Sequence, residues 1–170
     1  QKAIDSIKAT TGLRPLGWLS RYLHTDITRA LLAEMGFEYH MDDFSNDTPH
    51  WDVVDTPKGP KPIVIVPYAL DTNDMKFWLA PGYTPEQWLD YAIATFDQLY
   101  AEADDGVPRL MSLGLHLRII SRPGRIGALK NFISHVQSKP DVWCASRLDI
   151  ARAFSSSVPA PTSATVMDTK

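Results

Sequence analysis

The spacing of apolar residues divides the chain into alternating strand-like and helix-like segments. The unbroken β-branched run 63–66 has the pattern of a strand buried on both faces. The clearest helix is predicted over 83–103, where Thr84 and Gln87 form a capping-box pattern and Pro85 takes the first helical position. The residues predicted for its inner face are Trp88, Tyr91, Ala92, Thr95, Phe96 and Leu99.

The remaining segments continue this alternation. Helices are predicted over 2–10, 25–36, 123–139 and 147–154, and strands over 13–19, 37–40, 61–70, 109–117 and 141–146. A long acidic loop over 41–60 separates the second strand from the third. This order is typical of a parallel α/β layer or barrel. Because a closed barrel has about eight strands, the roughly five strands here predict the second half of one.

The composition is that of a globular domain with a polar tail. The 170 residues are 44% hydrophobic and 22% charged, which is enough for a substantial core. Residues 1–154 contain all the predicted elements and are expected to form part of a barrel domain. Residues 155–170 are rich in Ser, Pro and Thr and are expected to be disordered.

Charge and motif content argue against several classes of protein. A net charge of −3 disfavours a nucleic-acid binder, and no apolar run approaches the ~20 residues of a membrane helix. Cys144 has no partner for an internal disulfide and is predicted to be buried. Together with a start that lacks the signal-peptide pattern, it leads us to expect a cytoplasmic protein. The sequence has no His-x-x-x-His, Cys-x-x-Cys or Gly-rich phosphate loop, so no metal ligand is assigned.

Polar residues gather where the predicted strands end, which is where α/β folds place their active sites. They are Arg14 and Trp18; His40, Asp42, Asp43, Asp47 and His50; Tyr68, Asp71, Asn73 and Asp74; and His116, Arg118, Arg122 and Arg125. Such a rim suits hydrolysis of a polar amide, with His116 as general acid. The alternative is structural: a hydrogen-bonded histidine, Asx turns in 71–74 and arginines paired with acidic loops. His24 and His135 are expected at the surface, and the five tryptophans in the core.

Three loop motifs carry a resemblance to a known family. "RPLGW", "PYALDTNDMKF" and "GLHLRIISRPGR" occur in the order found in the polysaccharide deacetylase (NodB-homology) superfamily. More narrowly, the chain resembles the metal-independent, bacterial-type allantoinases and related cyclic-imide hydrolases over 3–154. "MDDFSNDTPHW" adds a match through Asp42, Asp47, Pro49 and Trp51, and "VWCASRLDIARAF" resembles the closing strand and helix.

The resemblance implies a fold and a set of site residues. The fold would be a distorted (β/α) barrel of about seven strands, of which this chain supplies roughly the second half. His116, in the Leu115-His116 pair, would be the general acid, and Arg14 would orient a catalytic carboxylate. The substrate-binding residues would be Trp18, Asp42, Asp47, Trp51, Tyr68, Asp71, Asn73, Asp74, Arg118 and Arg122.

The chain also departs from the family pattern. The early strands, which carry the aspartate motif and the metal-binding histidines of metal-dependent members, have no counterpart here. We therefore expect no cofactor in this chain, and a divalent metal only with ligands from an N-terminal segment. That N-terminal half, as a separate or nicked chain, is an expected partner, and self-association is expected from the family. The "LSRYLHTDITR" loop, His40 and His50 differ from the allantoinase branch and leave the substrate open.

Three functions remain open. The first is a hydrolase of a non-peptide C–N bond, acting on a small cyclic amide or ureide such as allantoin, or on an imide. The second is a metal-dependent deacetylase of an N-acetylated sugar or small amide, within carbohydrate metabolism. The third is a non-catalytic, truncated family member that serves as a binding domain. Turnover separates the third from the others, and chelator sensitivity separates the first two.

Overall fold

The computed structural model describes residues 1–20 and 24–161. They divide into two compact units, one comprising the described residues of 1–67 and 145–161 and the other 68–144. None of the helices within the described residues is long and apolar enough to span a membrane.

The first unit is a mixed sheet with helices. Its strands are β1 (Gly17–Trp18), β2 (Tyr39–His40), β3 (His50–Thr56) and β4 (Gly59–Ile65), and its helices are α1 (Lys2–Thr11), α2 (Thr28–Glu34) and α6 (Arg147–Ser157). The strand order is β1-β2-β4-β3. The pairs β1–β2 and β2–β4 are parallel, whereas β3 and β4 form an antiparallel hairpin. The carboxyl ends of β1, β2 and β4 therefore lie at one edge of the sheet.

The hairpin corrects the expected loop over 41–60. Its register runs from His50 opposite Ile65 to Thr56 opposite Gly59. Gly59 adopts a φ of 99°, and the Thr56 hydroxyl donates to its carbonyl oxygen at 2.7 Å, which closes the turn. Pairing along β4 stabilises a segment whose Asp and Pro content had suggested a loop.

The core of this unit lies between the sheet and the helices α1 and α2. Ile4, Leu32, Phe37, Ile63 and Ile65 form one buried cluster. The run 63–66 is at most 3% exposed, so the expected strand buried on both faces is confirmed.

The second unit is built mainly from helices. Its elements are a 3₁₀ turn over Asp74–Phe77, α3 (Pro85–Glu102), a 3₁₀ turn over Ala103–Asp105, α4 (Leu117–Ile120) and α5 (Ile126–Gln137). The capping box of α3 is confirmed, because Thr84 accepts from the Gln87 backbone and Gln87 accepts from the Thr84 backbone. Phe132 of α5 packs against the rings of Trp88 and Phe96 on α3.

The strands expected over 109–117 and 141–146 are not formed within the described residues. Carbonyl oxygens of the first segment bond to a loop instead. The Thr72 hydroxyl donates to Ser112 O at 2.7 Å, and the Asp74 amide donates to Gly114 O at 2.9 Å. The segment is thus extended without pairing to a strand, because a polar loop satisfies its acceptors.

Several burial predictions were wrong. Cys144 is exposed, as are Trp78 and Trp143, and Tyr91 of α3 is 40% exposed. Tyr91 stays at the surface because its hydroxyl donates to the Asp71 carboxylate at 3.0 Å. Further differences are that α2 begins at Thr28 rather than after Thr25 or Asp26, and that α6 continues to Ser157, into the expected tail. Residues 162–170 of that tail lie outside the described residues.

Candidate functional site

His116 forms a tightly held pair with Asp74 in the second unit. Its ring Nδ1 lies 2.7 Å from Asp74 Oδ1, and its backbone N–H donates to Asp74 Oδ2 at 2.7 Å. The Asp74 side chain is fully buried, whereas a third of the His116 side chain is exposed. With Nδ1 engaged by the carboxylate, Nε2 is the nitrogen that can exchange a proton with a bound molecule.

The loop 71–74 positions this carboxylate. Asn73 caps the 3₁₀ turn by accepting from the Met75 amide at 2.8 Å. The Thr72 carbonyl accepts from the buried Trp88 indole at 3.2 Å. The bond from the Met75 amide confirms the predicted Asx turn at Asn73. The bonds from Thr72 to Ser112 O and from Asp74 to Gly114 O hold the loop in place. The fully buried Asp74 carboxylate thus fixes the orientation of the His116 ring, and substrate binding by Asp74 stays a prediction.

Tyr68 and Asn73 meet beside Gly114, two residues before the histidine. Asn73 Nδ2 donates to the Tyr68 hydroxyl at 3.1 Å. A Cβ at Gly114 would lie 2.5 Å from that hydroxyl and closer still to the Asn73 amide nitrogen. The glycine thus permits the backbone to approach these polar groups, and Tyr68, Asn73, Asp74 and His116 form one constellation.

The arginines after His116 lie at or near the surface. Arg118 and Arg122 are exposed, and the Arg118 guanidinium lies 5.7 Å from the centre of the Trp78 ring. Arg125 lies over the Phe77 ring at 4.8 Å and donates to the Ile119 carbonyl at 3.3 Å. Arg125 is thus a structural residue, while substrate binding by Arg118 and Arg122 stays a prediction.

In the first unit, Arg14 closes the C-terminal end of α2. Its guanidinium donates to the carbonyl oxygens of Pro15, Met35 and Gly36 and lies 5.3 Å from the centre of the Phe37 ring. Carbonyls at a helix end lack helical partners, so this arginine satisfies them. The expected role of Arg14, orientation of a catalytic carboxylate, stays a prediction.

The other predicted substrate-binding residues of the first unit include Trp18, Trp51 and Asp47. Trp18 donates to the Ser20 hydroxyl at 3.1 Å and packs edge-on against Phe37. The Trp51 indole donates to Val158 O at 2.9 Å. Asp47 is exposed in the loop before β3. Substrate binding by Trp18, Trp51 and Asp47 stays a prediction.

Asp42 lies in a buried polar cluster at the carboxyl ends of β1 and β2. Its Oδ2 accepts the Ser20 amide at 2.7 Å and lies 2.8 Å from His40 Nε2. His40 and Asp42 are 0% and 2% exposed. Burial lowers the pKa of the His40 imidazole, and its bond to Asp42 offsets this only in part.

Arg29 is a member of this cluster that sequence reasoning missed. It bonds to Asp52 at 2.7 Å, Asp43 at 3.0 Å, the Asp42 carbonyl at 3.1 Å and His40 Nδ1 at 3.3 Å. Burial raises the pKa of Asp43, but bonds from Ser45 and Arg29 outweigh it and hold that pKa below its usual value. The sequence did contain a signal for this role, because Arg29 lies inside an amphipathic helix next to two acidic loops.

Three side chains of this cluster have the donor types that bind a transition metal. Ligand atoms of His24, His40 and Asp42 all lie within 4.8 Å of one another. His24 is half-buried rather than at the surface as expected, and its ring packs edge-on against His40 with centroids 5.3 Å apart.

The chain is similar to known proteins in both sequence and structure. No family model matches the chain. A curated protein of Schizosaccharomyces pombe described as a polysaccharide deacetylase is 40% identical over 129 residues, which are 71% of this chain and 40% of that protein.

Solved structures agree in fold and extent. A polysaccharide deacetylase from Pseudomonas aeruginosa is 41% identical with a TM-score of 0.83, and a PuuE allantoinase is 39% identical with a TM-score of 0.84. In both cases the match covers 93% of this chain and 52% of the other. The chain thus spans between 40% and 52% of these proteins, which is consistent with the predicted C-terminal half of a barrel. By sequence and fold, the chain belongs to the polysaccharide deacetylase superfamily.

Proposed function

We propose that the protein is a hydrolase of a non-peptide C–N bond in a small cyclic amide, a ureide such as allantoin, or an imide, with His116 as general acid. The observation that carries this proposal is the His116–Asp74 pair. A buried carboxylate holds one ring nitrogen while a third of the side chain remains accessible. Deacetylase and allantoinase relatives support the broader class of carbon–nitrogen hydrolases.

The pair suits the step in which the C–N bond breaks. Water addition to the carbonyl carbon gives a tetrahedral centre whose nitrogen must accept a proton before it leaves. The His116 imidazolium donates its Nε2 proton to that nitrogen and becomes neutral, and the remaining proton stays on Nδ1, hydrogen-bonded to the Asp74 carboxylate. Asp74 stabilises the charged ring and fixes its orientation without touching the substrate.

The proposal requires a base from outside the described residues. In the family resemblance, that base belongs to the aspartate motif of an N-terminal segment, which would complete the barrel with this chain. We propose that the His116–Asp74 pair acts without a cofactor. We also propose that the completed protein self-associates. Tyr68, Asn73, Asp71 and the exposed Arg118 are the residues of this unit proposed to surround the substrate.

A metal-dependent deacetylase is the second candidate. The curated relative and one structural neighbour are described as polysaccharide deacetylases, which favours an N-acetylated sugar. In that reaction a bound divalent metal would polarise the acetyl carbonyl, and His116 would protonate the leaving amine.

Turnover by His116 variants tests the proposal. The complete protein and His116→Gln are assayed with allantoin, a cyclic imide and an N-acetylated sugar, each with and without chelator. We expect chelator-resistant turnover of a ureide or imide, and a decrease of about 10²–10⁴-fold in kcat for the variant.

His135→Gln is the matched control, since it removes a histidine that also pairs with an aspartate, Asp97, at 2.7 Å. Its turnover should equal that of the unmodified protein. Undiminished turnover by His116→Gln contradicts the mechanism. Turnover of the sugar alone, abolished by chelator, favours the deacetylase, and no turnover of any substrate favours a binding domain.

A further inference from the structure

His24, His40 and Asp42 are brought together by the parallel pairing of β1 and β2. Trp18 of β1 lies opposite His40 of β2, so the segments that follow both strands begin at one edge of the sheet. The Ser20 amide, two residues beyond β1, bonds to Asp42, two residues beyond β2, at 2.7 Å. This bond fixes Asp42 beside His40, and His24 follows on the first of these segments.

Among the described residues, no positively charged side chain bonds to the Asp42 carboxylate. Arg29 carries the nearby positive charge, but its two ion pairs go to Asp43 and Asp52, at 3.0 and 2.7 Å. The groups on Asp42 Oδ2 are a backbone amide and an imidazole. The imidazole is neutral in this arrangement, because its Nδ1 accepts from Arg29. Within the described residues the guanidinium thus pairs with two carboxylates and leaves that of Asp42 without a positive partner, and a buried carboxylate in this position favours a bound cation.

Two buried polar atoms of the cluster have no hydrogen-bond partner among the described residues. They are Asp42 Oδ1 and His24 Nδ1. Asp42 is 2% exposed, so water from the surface does not satisfy its free oxygen. Buried oxygen and nitrogen atoms of this kind are normally bonded, and two in one cluster with the right donor types indicate a ligand between them.

We propose that His24, His40 and Asp42 form a site for one divalent transition metal of the zinc class. Two imidazoles and a carboxylate are a common three-residue set for zinc, with further positions left for water or substrate. Tetrahedral ligands at about 2.0–2.1 Å from zinc are about 3.3 Å apart. Asp42 Oδ1 and His24 Nδ1 have no hydrogen bond to lose on binding the ion, and His40 Nε2, 2.8 Å from Asp42 Oδ2, exchanges its hydrogen bond for the third coordination bond.

Metal binding changes one hydrogen bond of the cluster. With the metal on Nε2 of His40, the ring proton moves to Nδ1, and the bond from Arg29 Nε is lost. At 3.3 Å it is the longest of the four bonds that this guanidinium makes to described residues, and its bonds to Asp43, Asp52 and the Asp42 carbonyl remain. Arg29 then holds the surrounding carboxylates while the metal neutralises Asp42.

This site goes beyond the proposed hydrolase and does not depend on it. The ligands come from the first unit, whereas the general acid comes from the second. They also lie in the present chain, in contrast to the expectation that metal ligands would come from an N-terminal segment. Metal content rather than turnover is the readout, so either proposal can fail alone.

The test compares zinc stoichiometry among variants of the complete protein. Zn²⁺ is titrated against a chromophoric chelator for the unmodified protein, Asp42→Asn, His24→Gln and His135→Gln. We expect Asp42→Asn and His24→Gln each to bind one equivalent fewer than the unmodified protein, and His135→Gln to bind the same number. Replacement by Co²⁺ should give a visible absorption band that is lost in the same two variants.

Counting the difference keeps the test valid if another segment of the protein holds a metal of its own. Circular dichroism checks that each variant is folded. His24→Gln decides the result if Asp42→Asn unfolds, because His24 Nδ1 has no hydrogen bond to lose. Equal stoichiometry in the unmodified protein and a folded variant, or no zinc bound by the unmodified protein, overturns the proposal and leaves a bridging water as the partner of the two atoms.

Discussion

Asp74 holds His116 at two points. One carboxylate oxygen accepts the backbone N–H of His116 and the other lies against its ring Nδ1, both at 2.7 Å. The double contact ties the orientation of the imidazole to its own backbone. Because Asp74 is fully buried and its amide bonds to Gly114 O, the whole arrangement is anchored in the loop 71–74.

Replacing the buried carboxylate tests this positioning role. In Asp74→Asn the new amide donates to Nδ1, so the proton of a neutral ring moves to Nε2 and the imidazolium loses its counter-charge. We expect kcat to fall about 10²–10⁴-fold with KM nearly unchanged, and the pH–rate profile to change shape. Steady-state kinetics across pH measures both.

A change in KM alone would show instead that Asp74 binds substrate. Asp71→Asn is the matched control, because Asp71 lies in the same loop and its carboxylate accepts from exposed Tyr91 rather than from His116. Its pH–rate profile should keep the shape of the unmodified protein.

Gly114 is predicted to reject any side chain. A Cβ there would collide with Tyr68 and Asn73, so Gly114→Ala should lower the free energy of unfolding by about 1–3 kcal/mol. Gly127→Ala, where a Cβ meets nothing within 4 Å, should be neutral or stabilise by up to about 1 kcal/mol. Urea unfolding measures both, and equal stability of the two variants would contradict the close approach at Gly114.

Removal of Arg29 should destabilise the first unit. Arg29→Gln leaves Asp43 and Asp52 without their counter-charge, and the partly exposed position reduces the cost to roughly 2–4 kcal/mol. Arg29→Lys should lose less, because it keeps the charge but not the branched geometry. The control is Arg109→Gln, whose partners Glu102 and Asp105 lie at the surface, so its unfolding midpoint should barely move.

The ion pair between Glu38 and Arg152 should make stability depend on acid pH. Two bonds of 2.8 Å from Arg152 hold the pKa of Glu38 below its usual 4.5. A carboxyl with a lowered pKa contributes stability above its unfolded-state pKa, and this is lost as pH falls through the folded-state value. Arg152→Gln should therefore be less stable than the unmodified protein at neutral pH and equally stable in acid below that window.

Urea unfolding at both pH values measures this difference, and Arg122→Gln is the control for loss of one exposed charge. A stability difference that persists unchanged in acid would show that Arg152 acts through packing rather than through Glu38.

Local patterns along the chain were sufficient for the buried strand and for every helix except the one-turn α4, where no helix was predicted. The capping box at Thr84 and Gln87 and the apolar run 63–66 depend on neighbours within a few residues, and both appear as expected. The loop motifs also carried the family, because their residues and order are properties of the sequence itself.

Partners distant in the sequence decided the rest. Residues 50–56 of the expected loop become a strand because β4 lies beside them, and 109–117 does not, because Thr72 and Asp74 take its acceptors. The same holds for the sites: 42 positions separate Asp74 from His116, and 22 separate Ser20 from Asp42. The sequence by itself determined which chemical groups are present, and the tertiary structure alone decided which of them meet, because hydrogen bonds and burial depend on distance in space.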